Sequence, residues 1–101
     1  MNLSNKDKSI LQKFFAGKPV KKAYIFGSSA RNEAVKQSDI DILVDLDHRI
    51  PIGMKFFGYQ PELEQLLKKK VDLVTNEGLS KYIKPFIDKD KILIYERAND
   101  W

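Results

Sequence analysis

The sequence predicts an α/β fold in which helices flank a small sheet, and three observations lead there. Helical and strand periodicities alternate along the whole 101-residue chain. The run Asp39–Leu46 has the period of a strand: Ile40, Ile42, Val44 and Leu46 share one face, and Asp39, Asp41, Leu43 and Asp45 share the other. No repeat, low-complexity tract or linker breaks the succession, so residues 1–101 are expected to pack as a single domain. Local pattern leaves open whether neighbouring strands run parallel.

The elements follow in order. Ser4 is placed to cap a helix over Asn5–Phe15, whose stripe is Ile10, Leu11, Phe14 and Phe15, and Gly17 with Pro19 stops it. Ala23–Phe26 reads as a short strand ending at Gly27, Ser29–Ala34 as a short helix and Lys36–Ser38 as a loop into the Asp39–Leu46 strand. Asp47–Pro51 forms a turn. Helical spacing then runs over Met54–Lys69 through Phe56, Phe57, Leu63, Leu66 and Leu67, with Gly58 and Pro61 expected to kink it or split it in two. Val71–Val74 is a third strand. Leu79, Tyr82, Ile83, Phe86 and Ile87 keep helical spacing around Pro85, which is expected to start a segment, and Ile92–Tyr95 closes the chain as a strand.

Composition narrows the chemistry. With 43% hydrophobic and 32% charged residues the chain suits one compact soluble domain, although its length lets it bury only ~60 to 65% of its unfolded surface. Without cysteine there is no disulfide, thiolate zinc site or cysteine nucleophile. His48 is the sole histidine, which excludes two-histidine zinc motifs and leaves acid–base and metal chemistry to carboxylates. No apolar run approaches the ~20 residues of a membrane helix and the polar start is unlike a secretory signal, so a cytoplasmic location without membrane contact is expected. The net charge of +4 is N-terminal in origin, since Met1–Lys22 holds six lysines and one aspartate. Such lysines usually coat a solvated helix face, and direct nucleic-acid binding is not expected.

The informative element is Asp39-Ile40-Asp41. On a helix these side chains would diverge by ~200°, whereas on a strand they leave one face with Cα atoms ~6.6 Å apart and can converge on one cation. Their repulsion favours protonation of one unless a cation reverses the balance, and a hard ion such as magnesium suits an all-oxygen site. Taken alone, the pair would equally describe charges that keep an edge strand from aggregating. Gly27-Ser28 adds a second element, at the end of a strand and before a short helix, where backbone N–H groups favour an anion. Ser28 can offer hydroxyl and amide to a phosphate and Arg31 can neutralise another oxygen; in isolation this is also an ordinary strand-to-helix turn. Third, Asp72 interrupts the apolar run Val71–Val74. If that strand lies beside Asp39–Leu46, Asp72 joins the other carboxylates as a ligand or accepts the proton of an attacking hydroxyl; otherwise it faces water. Asp45 and Asp47 are read as solvated or turn-forming.

Taken together, Gly27-Ser28, ten residues, Asp39-Ile40-Asp41, Arg31 in the gap and Asp72 in Val-Asp-Leu-Val resemble the signature of the minimal nucleotidyltransferases of the DNA polymerase beta superfamily. Asn32 stands where that family usually has glycine, and asparagine tolerates positive φ. The resemblance implies a polymerase-beta-like fold with a small mixed sheet. It implies a site in which Gly27, Ser28 and Arg31 bind the nucleotide, Asp39, Asp41 and Asp72 hold two magnesium ions, and Asp72 activates the nucleophile. It further implies an antitoxin that moves AMP from ATP to a tyrosine of a helical HEPN ribonuclease toxin, in a possible hetero-oligomer with it. Two other readings stay open: an antitoxin that neutralises by binding alone, and a nucleotidyltransferase for a small alcohol. Phe56, Phe57, Tyr59 and Trp101 are divided between core and partner surface, and Lys68–Lys70 is read as complementing a helix C-terminus before contacting nucleotide.

Overall fold

The computed structural model describes residues 3–27, 40–47 and 53–97. The expected helix Ser29–Ala34, the loop Lys36–Ser38, most of the turn after Asp47, and Trp101 lie outside them. The described elements are α1 (Asn5–Ala16), β1 (Val20–Phe26), β2 (Ile40–Leu46), a 3₁₀ helix (Gly53–Gly58), α2 (Tyr59–Leu67), β3 (Val71–Thr75), α3 (Lys84–Asp90) and β4 (Ile92–Glu96).

Ser4 caps α1 as its position predicts, its hydroxyl accepting the Asp7 N–H at 3.1 Å, and Gly17 closes the helix. The Met54–Lys69 pattern divides in two, but Gly58 makes the break. Pro61 is the third residue of α2, in the first turn, where its missing N–H forfeits no helical bond. Pro85 likewise sits in the first turn of α3. β1 begins three residues earlier than its apolar pattern suggests, because Val20, Lys22 and Ala23 pair with β2 across an irregularity in register.

The four strands form one mixed sheet in the order β3-β2-β1-β4. β1 runs antiparallel to both β2 and β4, while β2 and β3 are parallel, with α2 in the crossover between them. Ala23 and Ile25 of β1, Ile40, Ile42 and Val44 of β2, Val71 and Leu73 of β3 and Ile94 of β4 share one core cluster with Leu11, Phe14 and Phe15 of α1 and Tyr59, Leu63 and Leu67 of α2. Alternation then turns Tyr24, Phe26, Asp41, Leu43, Asp72 and Val74 to the opposite face.

Helix side chains cap both edges of the sheet. Glu64 and Gln60 accept the N–H groups of Val71 and Leu73 on β3 at 3.0 and 3.2 Å, and the Gln12 amide donates to the Ile94 carbonyl of β4 at 3.1 Å. These bonds remove open backbone positions to which another strand could add. Two ion pairs join distant segments: Lys69 meets the buried Asp7 at 3.0 Å, and Arg97 meets Asp47 at 2.7 Å. Asp47 is therefore not solvated as expected; it is 3% exposed, at the end of β2. Lys69 serves this contact, and Lys68 terminates α2 with a left-handed φ of 57°. The aromatic group divides: Tyr59 is buried and Phe56 packs against the core, whereas Phe57 is 69% exposed.

Candidate active site

The face of the sheet opposite α1 and α2 carries the carboxylates. Asp41 is the second residue of β2 and Asp72 the second of β3, and the parallel register pairs them directly. Paired residues of neighbouring strands lie ~4.8 Å apart with side chains on the same face, so the two carboxylates stand side by side. Asp41 is half-buried and Asp72 exposed. The ladder begins with the Ile40 N–H donating to the Lys70 carbonyl at 2.9 Å, which sets the register one residue before the acidic pair.

Gly27 completes the described part of the site. Phe26 pairs with Asp41 across β1 and β2, so the chain leaving β1 passes beside the Asp41 side chain. Gly27 has φ of +68°, and a Cβ built on it would stand 2.5 Å from Asp41 Oδ2. The space a side chain would fill is taken by the carboxylate. Any larger residue here would displace one of the two candidate ligands.

The structure thus brings together Gly27, Asp41 and Asp72, from the ends of three different strands. Ser28, Arg31 and Asp39 lie outside the described residues, and among the described residues no group of three or more acidic or histidine ligands converges. Two neighbouring carboxylates, one of them packed against a glycine backbone, make an all-oxygen donor set. That donor set fits a hard ion such as magnesium. Neither the positive φ of Gly27 nor its contact with Asp41 had a sequence signal, because both depend on how separate strands meet.

Comparisons with known proteins identify the family and the fold. The family model described as "Nucleotidyltransferase domain" matches residues 6–94. MJ0128 of Methanocaldococcus jannaschii, for which the name proposes protein adenylyltransferase activity, is 42% identical over 94 residues, 92% of each chain. Protein adenylyltransferase MntA of Thermococcus cleftensis is 37% identical over 75 residues, 74% of this chain and 75% of that one. Among solved structures, a toxin–antitoxin complex with AMP-PNP superposes at a TM-score of 0.73 with 21% identity, over 94% of this chain and 76% of that chain. A complex of the tri-AMPylated Shewanella oneidensis HEPN toxin with its MNT antitoxin gives 0.67 with 18% identity, over 90% and 71%. These two show likeness of fold. No helix among the described residues is long and apolar enough to cross a membrane. With a family model matching residues 6–94 and a relative 42% identical over 92% of each chain, the chain belongs to the nucleotidyltransferase domain family.

Proposed function

We propose that the chain is the antitoxin of a toxin–antitoxin pair and that it transfers AMP from ATP to a tyrosine of a HEPN ribonuclease toxin. The observation that carries this reading is the in-register pairing of Asp41 with Asp72 against the Gly27 backbone. The names of the relatives support the adenylyl transfer, and the solved relatives bound to AMP-PNP or to a tri-AMPylated HEPN toxin support the nucleotide and the partner.

In this reading Gly27, Ser28 and Arg31 bind the triphosphate, and Asp39, Asp41 and Asp72 hold two magnesium ions. What magnesium supplies when bound is positive charge against the phosphate oxygens. The glycine at position 27 keeps side-chain bulk away from both the phosphate and the Asp41 carboxylate. Asp72, the exposed member of the pair, accepts the phenolic proton as the tyrosine oxygen bonds to the α-phosphorus; the bond to the β-phosphate oxygen breaks and pyrophosphate leaves.

The test is intact-mass spectrometry of the cognate HEPN protein, incubated with this chain, ATP and magnesium. AMP increments with the native chain, and none with Asp39→Ala plus Asp41→Ala, are expected. A toxin that is inhibited without any mass change would replace this reading with neutralisation by binding, and increments on a small alcohol instead would replace the acceptor.

A further inference from the structure

An apolar strip on the connection between β3 and β4 is left without a role by the catalytic reading. Tyr82 is 76% exposed, Ile83 52% and Phe86 73%. The N–H groups of Ile83 and Lys84 donate to the Ser80 carbonyl, and those of Phe86 and Ile87 to the Ile83 carbonyl, which carries helical turns from α3 back to Ser80. Tyr82 and Phe86, four residues apart, therefore stand one above the other, while Ile87 is the side chain of α3 that turns inward. Isolated exposed apolar residues are ordinary; three large neighbours within two turns are not.

Lysines accompany the strip, and the Lys81 ammonium lies 5.6 Å from the centroid of the Tyr82 ring. Lys81, Lys84 and Lys89 are all exposed. Of the acidic residues of this connection, Asp88 is engaged by Lys91 at 2.9 Å, and Glu77 and Asp90 are engaged as well. Position matters as much as charge. β3 and β4 are opposite edges of the sheet, so their connection must cross ~14 Å of strands, and α1 and α2 already occupy the core face. The Lys91 ammonium, just after α3, lies 4.4 Å from the centroid of the Tyr24 ring. Tyr24 pairs with Leu43, two residues along β2 from Asp41 and on the same face. The C-terminal end of α3, which carries the strip, therefore reaches the carboxylate side of the sheet.

We infer that Tyr82, Ile83 and Phe86 form the docking surface for the protein acceptor, whose matching patch is apolar and ringed by carboxylates. A second copy of this chain is the wrong occupant, because a two-fold contact of the strip with itself would set its lysines against one another. The inference rests on the protein adenylyltransferase reading above, and it assigns the part of the acceptor that is bound rather than modified.

Steady-state transfer to the cognate HEPN protein, and to a short synthetic peptide carrying its modified tyrosine, separates the two ideas. Tyr82→Ser plus Phe86→Ser should raise KM for the protein acceptor by about tenfold or more and leave KM for ATP and the rate on the peptide unchanged. Lys84→Glu plus Lys89→Glu, which removes no apolar surface, should do the same and weaken the dependence on salt. An unchanged KM for the protein acceptor in both variants would overturn the docking surface while leaving the adenylyltransferase reading intact. Absence of transfer by the native chain, with its binding to the HEPN protein still lost in both variants, would overturn that reading and keep the surface. Loss of a dimer of the chain alone, or of single-stranded RNA binding, with binding to the HEPN protein unaffected, would also overturn the docking proposal.

Discussion

Replacing Gly27 by alanine tests the geometry of the site most directly. Two separate costs follow from the structure. The backbone at φ +68° is one that an alanine adopts at a cost of about 1–2 kcal/mol. The new Cβ would also approach Asp41 Oδ2 to 2.5 Å, which no real carbon tolerates, so the carboxylate must swing away. A side chain held some 30° off its rotamer costs about 0.5–1.5 kcal/mol. Together Gly27→Ala should destabilise the chain by roughly 1.5–3.5 kcal/mol, a fall in Tm of at least about 6 °C for a domain of this size. Urea unfolding of Gly27→Ala, Asp41→Ala and the double variant isolates the contact. In the double variant the backbone cost remains and the clash is gone, so the cycle should show a coupling of about 0.5–1.5 kcal/mol. Moving a candidate ligand by ~1 Å should also lower transfer by roughly 10²-fold. A Gly27→Ala chain as stable as the native one within ~0.5 kcal/mol, or a strictly additive cycle, would refute the reasoning.

Other outcomes are expected elsewhere. Magnesium with ATP should raise the melting midpoint through RT ln(1 + [L]/Kd), and Asp41→Asn should remove that shift in the same melt. Calorimetric titration should find nucleotide binding lost in Asp39→Ala and Asp41→Ala and better preserved in Asp72→Ala, although all three lose transfer, because a group that takes the acceptor proton need not hold the nucleotide. Asp47→Ala strands Arg97, whose partner it is at 2.7 Å; the cost by urea unfolding should be about 2–3 kcal/mol, below the ~3–5 kcal/mol of a wholly buried pair because the arginine is 22% exposed and can rehydrate. Burial, with a smaller contribution from Glu62, raises the Tyr59 phenol above its usual 10.0. Its stabilising share is complete below pH ~10 and is lost as pH climbs through the raised value, so Tyr59→Phe should show a shallower alkaline fall in stability than the native chain.

Much of the local architecture was legible in the sequence because it depends on near neighbours. Ser4, Gly17 and the Leu11–Phe15 stripe specify α1 within a few turns, and the period-two run after Ser38 turns Asp41 away from Ile40 and Ile42 whatever the strand pairs with. Gly58 and Pro61 both signalled a break near residue 60, but their separate roles depend on where the turn of helix begins. Asp47 looked like a turn residue because nothing nearby marks Arg97, fifty residues on, as its partner.

Composition alone limits the residue types that can do chemistry here: carboxylates, a glycine before a serine, no cysteine and one histidine. Strand periodicity also determined that Asp41 and Asp72 each leave a face opposite their apolar neighbours. Only the tertiary structure decided that these faces are one face. The order β3-β2-β1-β4 and the parallel register of β2 with β3 come from burying the apolar sides of all four strands under α1 and α2 at once, a condition no single segment carries. That same packing uses the core face for two helices, so that in the helical pattern after β3 Ile87 is buried while Tyr82, Ile83 and Phe86 stand in solvent.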